Sequence, residues 1–383
     1  MHHRSALDRK LNRARFLQLM AASFTVPALM PLAVAAQQAT PQSATPVASP
    51  VTQPLMVRKN AKTLTADEKK RYTDAIVTLK NTPSPWDASL NTYDQFVVWH
   101  RDAFECDNMA AHMGPAFFPW HRMYLRLFEQ QLQTVDPSVT VPYWDWTVDD
   151  QIDSYIWQDD FMGGNGDPED NYAVKTGPFR KDNWEITIFD EFDDEKFPFL
   201  IRNLGIGKLA PDLPTAEDVE IGLALETYDT SPWTEMSDPT VSFRSYMEGW
   251  RDCTGDICEL DPSNHPDCPG SHDMHNRVHL WVSGEMMFAS EGGYEAVEGP
   301  FGTMAMNSSP NDPTFFLHHA FIDRLWSVWM ARYGQVYEPV SGAMYGHNLN
   351  DEMWPFAEIG ITATPAMMLD SRDLGYIYDT EVD

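Results

Sequence analysis

From Thr65 to Lys80 the chain reads TADEKKRYTDAIVTLK, and its apolar positions recur at intervals of three and four residues, which gathers them on one face of a helix. Thr65 ahead of the run and Glu68 three residues on make a capping box, so the helix is predicted to begin there. The same periodicity predicts helices over 92–104 (TYDQFVVWHRDAF), 119–132 (PWHRMYLRLFEQQL, with Pro119 near a first-turn position), 272–283 and 314–333 (TFFLHHAFIDRLWSVWMARY). The segment 149–238 is dense in Gly, Pro and Asp without a sustained period, and reads as long loops with short helices. Order resumes near Val241, and no repeat of fixed period is present.

The first residues have a different character. Arg4, Arg9, Lys10, Arg13 and Arg15 precede an apolar stretch from Phe16 to Ala36 that ends in small residues around Ala33-Val34-Ala35, the pattern of an export leader. Pro27 and Pro31 interrupt it, which argues against a membrane anchor. Residues 37–54, rich in Pro, Ser, Thr and Gln, read as a flexible linker. The expected organisation is a leader over 1–36, a linker over 37–54 and a single catalytic domain over 55–383, exported to a secreted or periplasmic location. No other stretch approaches the roughly 18 apolar residues of a membrane span, so no membrane is expected in the mature form.

Charge narrows the partners. With 27 Lys and Arg against 57 Asp and Glu, the net charge of -30 repels phosphate backbones, and nucleic acid is not an expected partner. Cys253, Cys258 and Cys268 cluster, with Cys106 far away; the absence of a two-residue Cys spacing favours disulfides over a zinc site and leaves the pairing open.

The candidate chemistry lies in the histidines. His275 and His279 are four apart in HDMHNRVHLWV, so on a helix both rings project from one face, as a shared metal needs. Alone, such a pair also suits two core histidines. Support comes from adjacent His318 and His319 in the last apolar helix and from His100, His112 and His121 upstream, which makes two groups of three in apolar, helical settings when one of the adjacent pair is counted. Neutral imidazole suits copper, and a centre made of histidine alone keeps both copper oxidation states accessible. A zinc protease is disfavoured because Asn276 stands where such enzymes carry a Glu. Trp144, Trp146, Trp326 and Trp329 read as core.

The stretches MGPAFFPWHRMYLRLFE, VPYWDWT, MEGWR, MHNRVHLWV and SPNDPTFFLHHAFIDRLW resemble, in order, the central domain of tyrosinases and related type 3 copper proteins. The likeness runs from Leu55 to the Tyr376-Ile377-Tyr378 motif. Together with the helical pattern it implies a mainly α fold: an antiparallel four-helix bundle housing a dicopper centre, with long loops and few short strands.

By that resemblance His100, His112 and His121 hold the first copper and His275, His279 and His319 the second. His318 is then a neighbour, and Asp323, four residues after His319, would orient its ring. Glu248 and Asn276 would hold a water that accepts the phenol proton. The activity implied is hydroxylation of monophenols and oxidation of ortho-diphenols to ortho-quinones, with O2 as co-substrate and small phenols as partners. A copper-loading helper protein and the oligomeric state stay open.

Catechol oxidase and ortho-aminophenol oxidase are the near alternatives. A hemocyanin-like oxygen carrier is disfavoured by the leader and the lack of a substantial domain after Tyr378. His265, His272 and His347 fall outside the motifs and are expected to be structural or exposed. A thioether between Cys106 and a first-copper histidine, as in some relatives, lacks the Cys-x-His form here, since Cys106 stands six residues before His112, and a disulfide from Cys106 to the inserted loop is an equal alternative.

Two departures from the compact bacterial pattern stand out. Glu248 and His275 are separated by 26 residues, and a second insertion covers about 287–301. Both flank the second-copper histidines and are expected to shape the entrance.

Overall fold

The computed structural model describes residues 54–106, 109–190, 196–206, 210–249, 274–284, 286–289, 293–296 and 302–382. The leader and nearly all of the linker, the cysteine cluster, His265 and His272 lie outside the described residues. Among the described residues seven helices form the framework: α1 (Ala66–Lys80), α2 (Thr92–Glu105), α3 (Phe117–Val135), α4 (Ala216–Leu223), α5 (Phe243–Glu248), α6 (Met274–Ser283) and α7 (Thr314–Tyr333). None of them is long and apolar enough to cross a membrane.

Strands are few and short. β1 (Met56–Arg58) pairs in parallel with β6 (Tyr376–Tyr378), and this two-stranded sheet joins the two ends of the folded region. β2 (Gly166–Asp167) with β3 (Ala173–Val174) and β4 (Met286–Ala289) with β5 (Gly293–Ala296) are antiparallel pairs. The second insertion is therefore in part a β-hairpin.

Local chemistry explains the helix limits. Thr65 accepts from the Glu68 amide while Glu68 Oε2 accepts the Thr65 N–H at 2.9 Å, the reciprocal cap expected at α1. Asn91 caps α2 by accepting from the Asp94 amide at 2.7 Å. The helix α5 stops at Gly249, whose φ of 71° is open to glycine at little cost. Helix α7 is apolar nearly all round and correspondingly buried along most of its length, with α3, α4 and α6 packed on it. Trp144, Trp146, Trp326 and Trp329 are core residues, as the pattern predicts.

One large, aromatic-rich cluster fills the interior, and within it, among the described residues, lie four fully buried arginines. Each is paired with carboxylate, as a buried guanidinium must be. Arg58 of β1 binds Glu129 at 3.0 Å and Asp323 at 3.2 Å, and Arg122 of α3 binds Asp323 at 2.5 Å. Arg202 pairs with Asp312 ahead of α7, and Arg244 of α5 with Asp229 and Glu248. These pairs tie loops and strands to the helices that carry the histidines.

Two expectations need correction. His112 is not helical: it sits in the irregular segment 109–116, where Met109 and Met113 adopt φ of 47° and 57° and Gly114-Pro115 prevents helix propagation. Asp323 does not orient His319. Its carboxylate is taken by Arg58, Arg122, Tyr376 at 2.6 Å and Tyr378 at 2.5 Å, and His319 Nδ1 has no hydrogen-bond partner among the described residues.

Candidate metal centre

Each histidine group is brought together from separate elements. His100 comes from α2, His112 from the turn before α3, and His121 from the second turn of α3; their ligand atoms lie within 4.8 Å of one another. His275 and His279 from α6 and His318 and His319 from α7 form a second group within the same distance. The two groups face each other, with the His121 and His319 rings stacked at 4.1 Å and the His112 and His275 rings 5.7 Å apart. Phe315 stacks on His319 at 4.1 Å, and Phe117 lies edge-on to His275 at 5.0 Å.

Backbone carbonyls fix the tautomers. His100 Nδ1 lies 2.7 Å from the Asn307 carbonyl oxygen, His121 Nδ1 2.8 Å from that of Phe117, His275 Nδ1 3.2 Å from that of Glu248, and His279 Nδ1 2.7 Å from that of Met304. A carbonyl only accepts, so each Nδ1 carries the proton and each Nε2 presents a lone pair. Burial keeps the rings neutral: it pushes His112 down to about 3 and His279 to about 4, and it lowers His100, His121, His275 and His319 well below the ordinary histidine value.

The lone pairs converge. Nε2 atoms approach at 3.1 Å between His100 and His112, 3.0 Å between His275 and His279, and 3.2 and 3.4 Å from His319 to His275 and His279. Between His275 and His279, whose Nδ1 protons are both taken by carbonyls, the two lone pairs meet with no proton between them and repel, and a cation bound there removes the repulsion. His121 Nε2 is buried with no partner among the described residues, as a ligand atom awaiting a metal would be. An all-imidazole donor set of this kind fits copper.

His318 differs from its neighbour. The Trp146 indole donates to His318 Nδ1 at 3.2 Å, which places the proton of the neutral ring on Nε2 and leaves that atom without a lone pair. His319 has the opposite arrangement, with its Nε2 toward His275 and His279.

Glu248 ends α5 beside the first group. Its Oε1 accepts the Met113 N–H at 2.5 Å and stands 3.5 Å from His112 Nδ1, while Oε2 accepts from Arg244 at 3.0 Å. Burial raises the Glu248 carboxyl above its ordinary value, and Arg244 opposes that rise. Because the Glu248 carbonyl takes His275 Nδ1, the backbone brings Glu248 next to the His275-Asn276 pair. Asn276 is half-buried, and its Nδ2 is without a hydrogen-bond partner among the described residues.

Sequence reading missed the four carbonyl partners, because a backbone acceptor leaves no mark on residue identity. It also missed Arg244, which the i,i+4 spacing to Glu248 in RSYME signals. His347 is buried beside Gly114 and Ala116, where it accepts the Ala116 N–H at 3.3 Å; it lies outside every motif used above.

Comparison with known proteins gives a consistent picture. A family profile described as the common central domain of tyrosinase matches residues 90–332. The chain is 38% identical over 330 residues to a tyrosinase of Streptomyces glaucescens, covering 85% of this chain and all of that protein. It is 36% identical over 348 residues to the grixazone synthase of Streptomyces griseus, covering 84% and 99% of the two. In fold it is similar to a polyphenol oxidase of Thermothelomyces thermophila, with a TM-score of 0.56 and 20% identity over 85% of this chain and 88% of the other.

Proposed function

This chain belongs to the tyrosinase family and is a dicopper oxidase of the type 3 class, and from that premise we propose how its residues divide the work. His100, His112 and His121 hold one copper, and His275, His279 and His319 hold the other. The observation that carries this assignment is the convergence of Nε2 lone pairs from rings whose Nδ1 protons are taken by carbonyls. The bound coppers supply the two electrons with which dioxygen is activated.

The protein supplies position, dryness and a route for a proton. The six ring orientations are set by hydrogen bonds and by Phe117 and Phe315, so little reorganisation is needed when substrate arrives. The aromatic surround excludes water from the reacting atoms. A monophenol is weakly acidic and must lose its O–H proton to react. Glu248 and Asn276 hold the water that takes this proton: one contributes a buried carboxylate of raised proton affinity, the other a half-buried amide whose Nδ2 has no hydrogen-bond partner among the described residues. Substrates are small phenols, hydroxylated at the ortho position and oxidised onward to ortho-quinones.

The test is oxygen uptake by the purified, copper-loaded protein with a monophenol and with catechol, alongside metal analysis. We expect two coppers per chain and turnover of both substrates. Turnover of catechol alone would assign it as a catechol oxidase, and no uptake with either would end the proposal. We also propose that residues 1–36 direct export, on the basis of the basic start and interrupted apolar run; recovery of the uncleaved chain inside the cell would refute this.

A further inference from the structure

We propose that His347, in the loop after α7, is a positioning residue for the Glu248 carboxylate and acts by holding the segment His112–Ala116 in one conformation. The inference rests on the role given above to Glu248 and adds a residue that no ligand motif includes.

The segment has three tasks. It carries His112, its Met113 N–H donates to Glu248 Oε1 at 2.5 Å, and it leads into α3. It performs them in a costly backbone state, since Met113 sits at φ 57°, where a side chain is disfavoured by about 1 kcal/mol or more. Local turn bonds brace its ends, His112 N–H to the Met109 carbonyl at 3.1 Å and Phe117 N–H to the Gly114 carbonyl at 3.0 Å. Besides Glu248 itself, two groups hold the segment from outside: Tyr228 donates its hydroxyl to the Pro115 carbonyl at 2.6 Å, and His347 Nδ1 accepts the Ala116 N–H at 3.3 Å.

The His347 ring also packs closely against Gly114. A Cβ at Gly114 would come within 2.6 Å of both Cε1 and Nδ1 of that ring, so glycine is required there by the closeness of approach. The ring has little freedom to withdraw. His347 is 4% exposed, its amide donates to the Met344 carbonyl at 3.1 Å, and its own carbonyl accepts the Tyr337 hydroxyl at 2.7 Å. Tyr337 and Tyr228 lie ring to ring at 4.7 Å, which links the two holds. Asp351 fixes the flanks of His347 by accepting the amides of Gly346 at 2.9 Å and Asn348 at 3.2 Å.

If the ring is removed, Met113 can relax out of its strained conformation, and Glu248 Oε1 loses the donor that aims it. The loss falls on proton acceptance from a monophenol more than on copper binding, because five of the six ligands are held elsewhere.

The experiment compares wild type, His347→Ala, His347→Gln, Gly114→Ala and the double variant Gly114→Ala/His347→Ala, each copper-loaded, by copper content and by oxygen uptake with a monophenol and with catechol. Wild type with two coppers and both activities establishes the underlying reading; its failure there would be a failure of that reading. Given that baseline, His347→Ala should keep two coppers and lose monophenol turnover about 10-fold or more, with catechol turnover falling less than about 3-fold. His347→Gln, whose side-chain oxygen can accept the Ala116 N–H, should recover most of the loss.

Gly114→Ala should reproduce the selective loss by pushing against the ring. The double variant should be no worse than His347→Ala, since the clash disappears with the ring. Equal losses with both substrates, additive losses in the double variant, or an unchanged His347→Ala would each overturn the proposal. Should His347→Ala fail to fold, Gly114→Ala and His347→Gln decide: an unaltered substrate ratio in Gly114→Ala overturns it.

Discussion

Glu248 and His112 meet through one oxygen: Oε1 of Glu248 stands 3.5 Å from His112 Nδ1 and at the same time accepts the Met113 N–H at 2.5 Å. The carboxylate proposed to receive a proton and a histidine proposed to bind metal are thus held by a shared contact. The other oxygen is tied to Arg244, which is itself locked to Asp229, so the carboxylate cannot rotate away.

Replacing Glu248 by Gln tests the proton-accepting role. The amide keeps the shape but cannot take a proton. Monophenol turnover should fall about 100-fold and catechol turnover less than about 10-fold, with both coppers retained. Equal losses with the two substrates would remove Glu248 from the proton path.

Adjacent histidines on α7 should behave differently when cut back to Ala. His319→Ala removes a lone pair that meets His275 and His279, and copper analysis should fall from two per chain toward one. His318→Ala removes only the partner of the Trp146 indole and leaves a cavity; it should keep two coppers while losing about 2 kcal/mol of stability. Loss of copper in His318→Ala would reverse the assignment.

Much of the site is legible in the sequence because helices with a buried face announce themselves. The periodic runs carrying His100, His121, His275, His279 and His319 each became a helix, and the four-residue spacing of His275 and His279 put both rings on one face. His112 was legible as a ligand candidate but not as a loop residue, because its setting depends on Met113 adopting a positive φ that distant residues hold in place. The i,i+4 spacing of His319 and Asp323 suggested a bonded pair and was misleading. Spacing reports which face a residue shares; it does not report that Arg58, Tyr376 and Tyr378 arrive from the far ends of the chain to claim the same carboxylate.

That misreading supplies the next prediction. Burial alone would raise the Asp323 carboxyl, but Arg122 and Arg58 outweigh it and hold it below the usual range. Asp323→Asn leaves Arg122 without a carboxylate and Arg58 with only Glu129, at a cost of about 3 kcal/mol or more. Denaturant unfolding should show that loss, while copper content stays at two because Asp323 does not touch His319. A variant of normal stability that lost one copper would restore the link between Asp323 and His319.

A last prediction concerns the start of α1, far from the metal. Glu68 closes the capping box with Thr65 and pairs with Lys59, and these contacts lower its carboxyl from 4.5 to about 2, with the Lys59 hydrogen bond the largest cause. A carboxyl whose folded value is depressed contributes stability that is complete above its unfolded value and vanishes as pH falls through the folded one. The contribution of Glu68 should therefore be full at pH 7, begin to shrink near 4.5, and be gone below about 2. The pair faces solvent and is screened, so its size is that of a helix cap with a weak ion pair, about 1 kcal/mol. Unfolding of copper-free wild type and Glu68→Ala, compared from pH 7 downward, should show two stabilities that converge with acid. A gap that held constant to pH 2.5 would mean that helix propensity, which does not titrate, accounts for the difference in place of the cap.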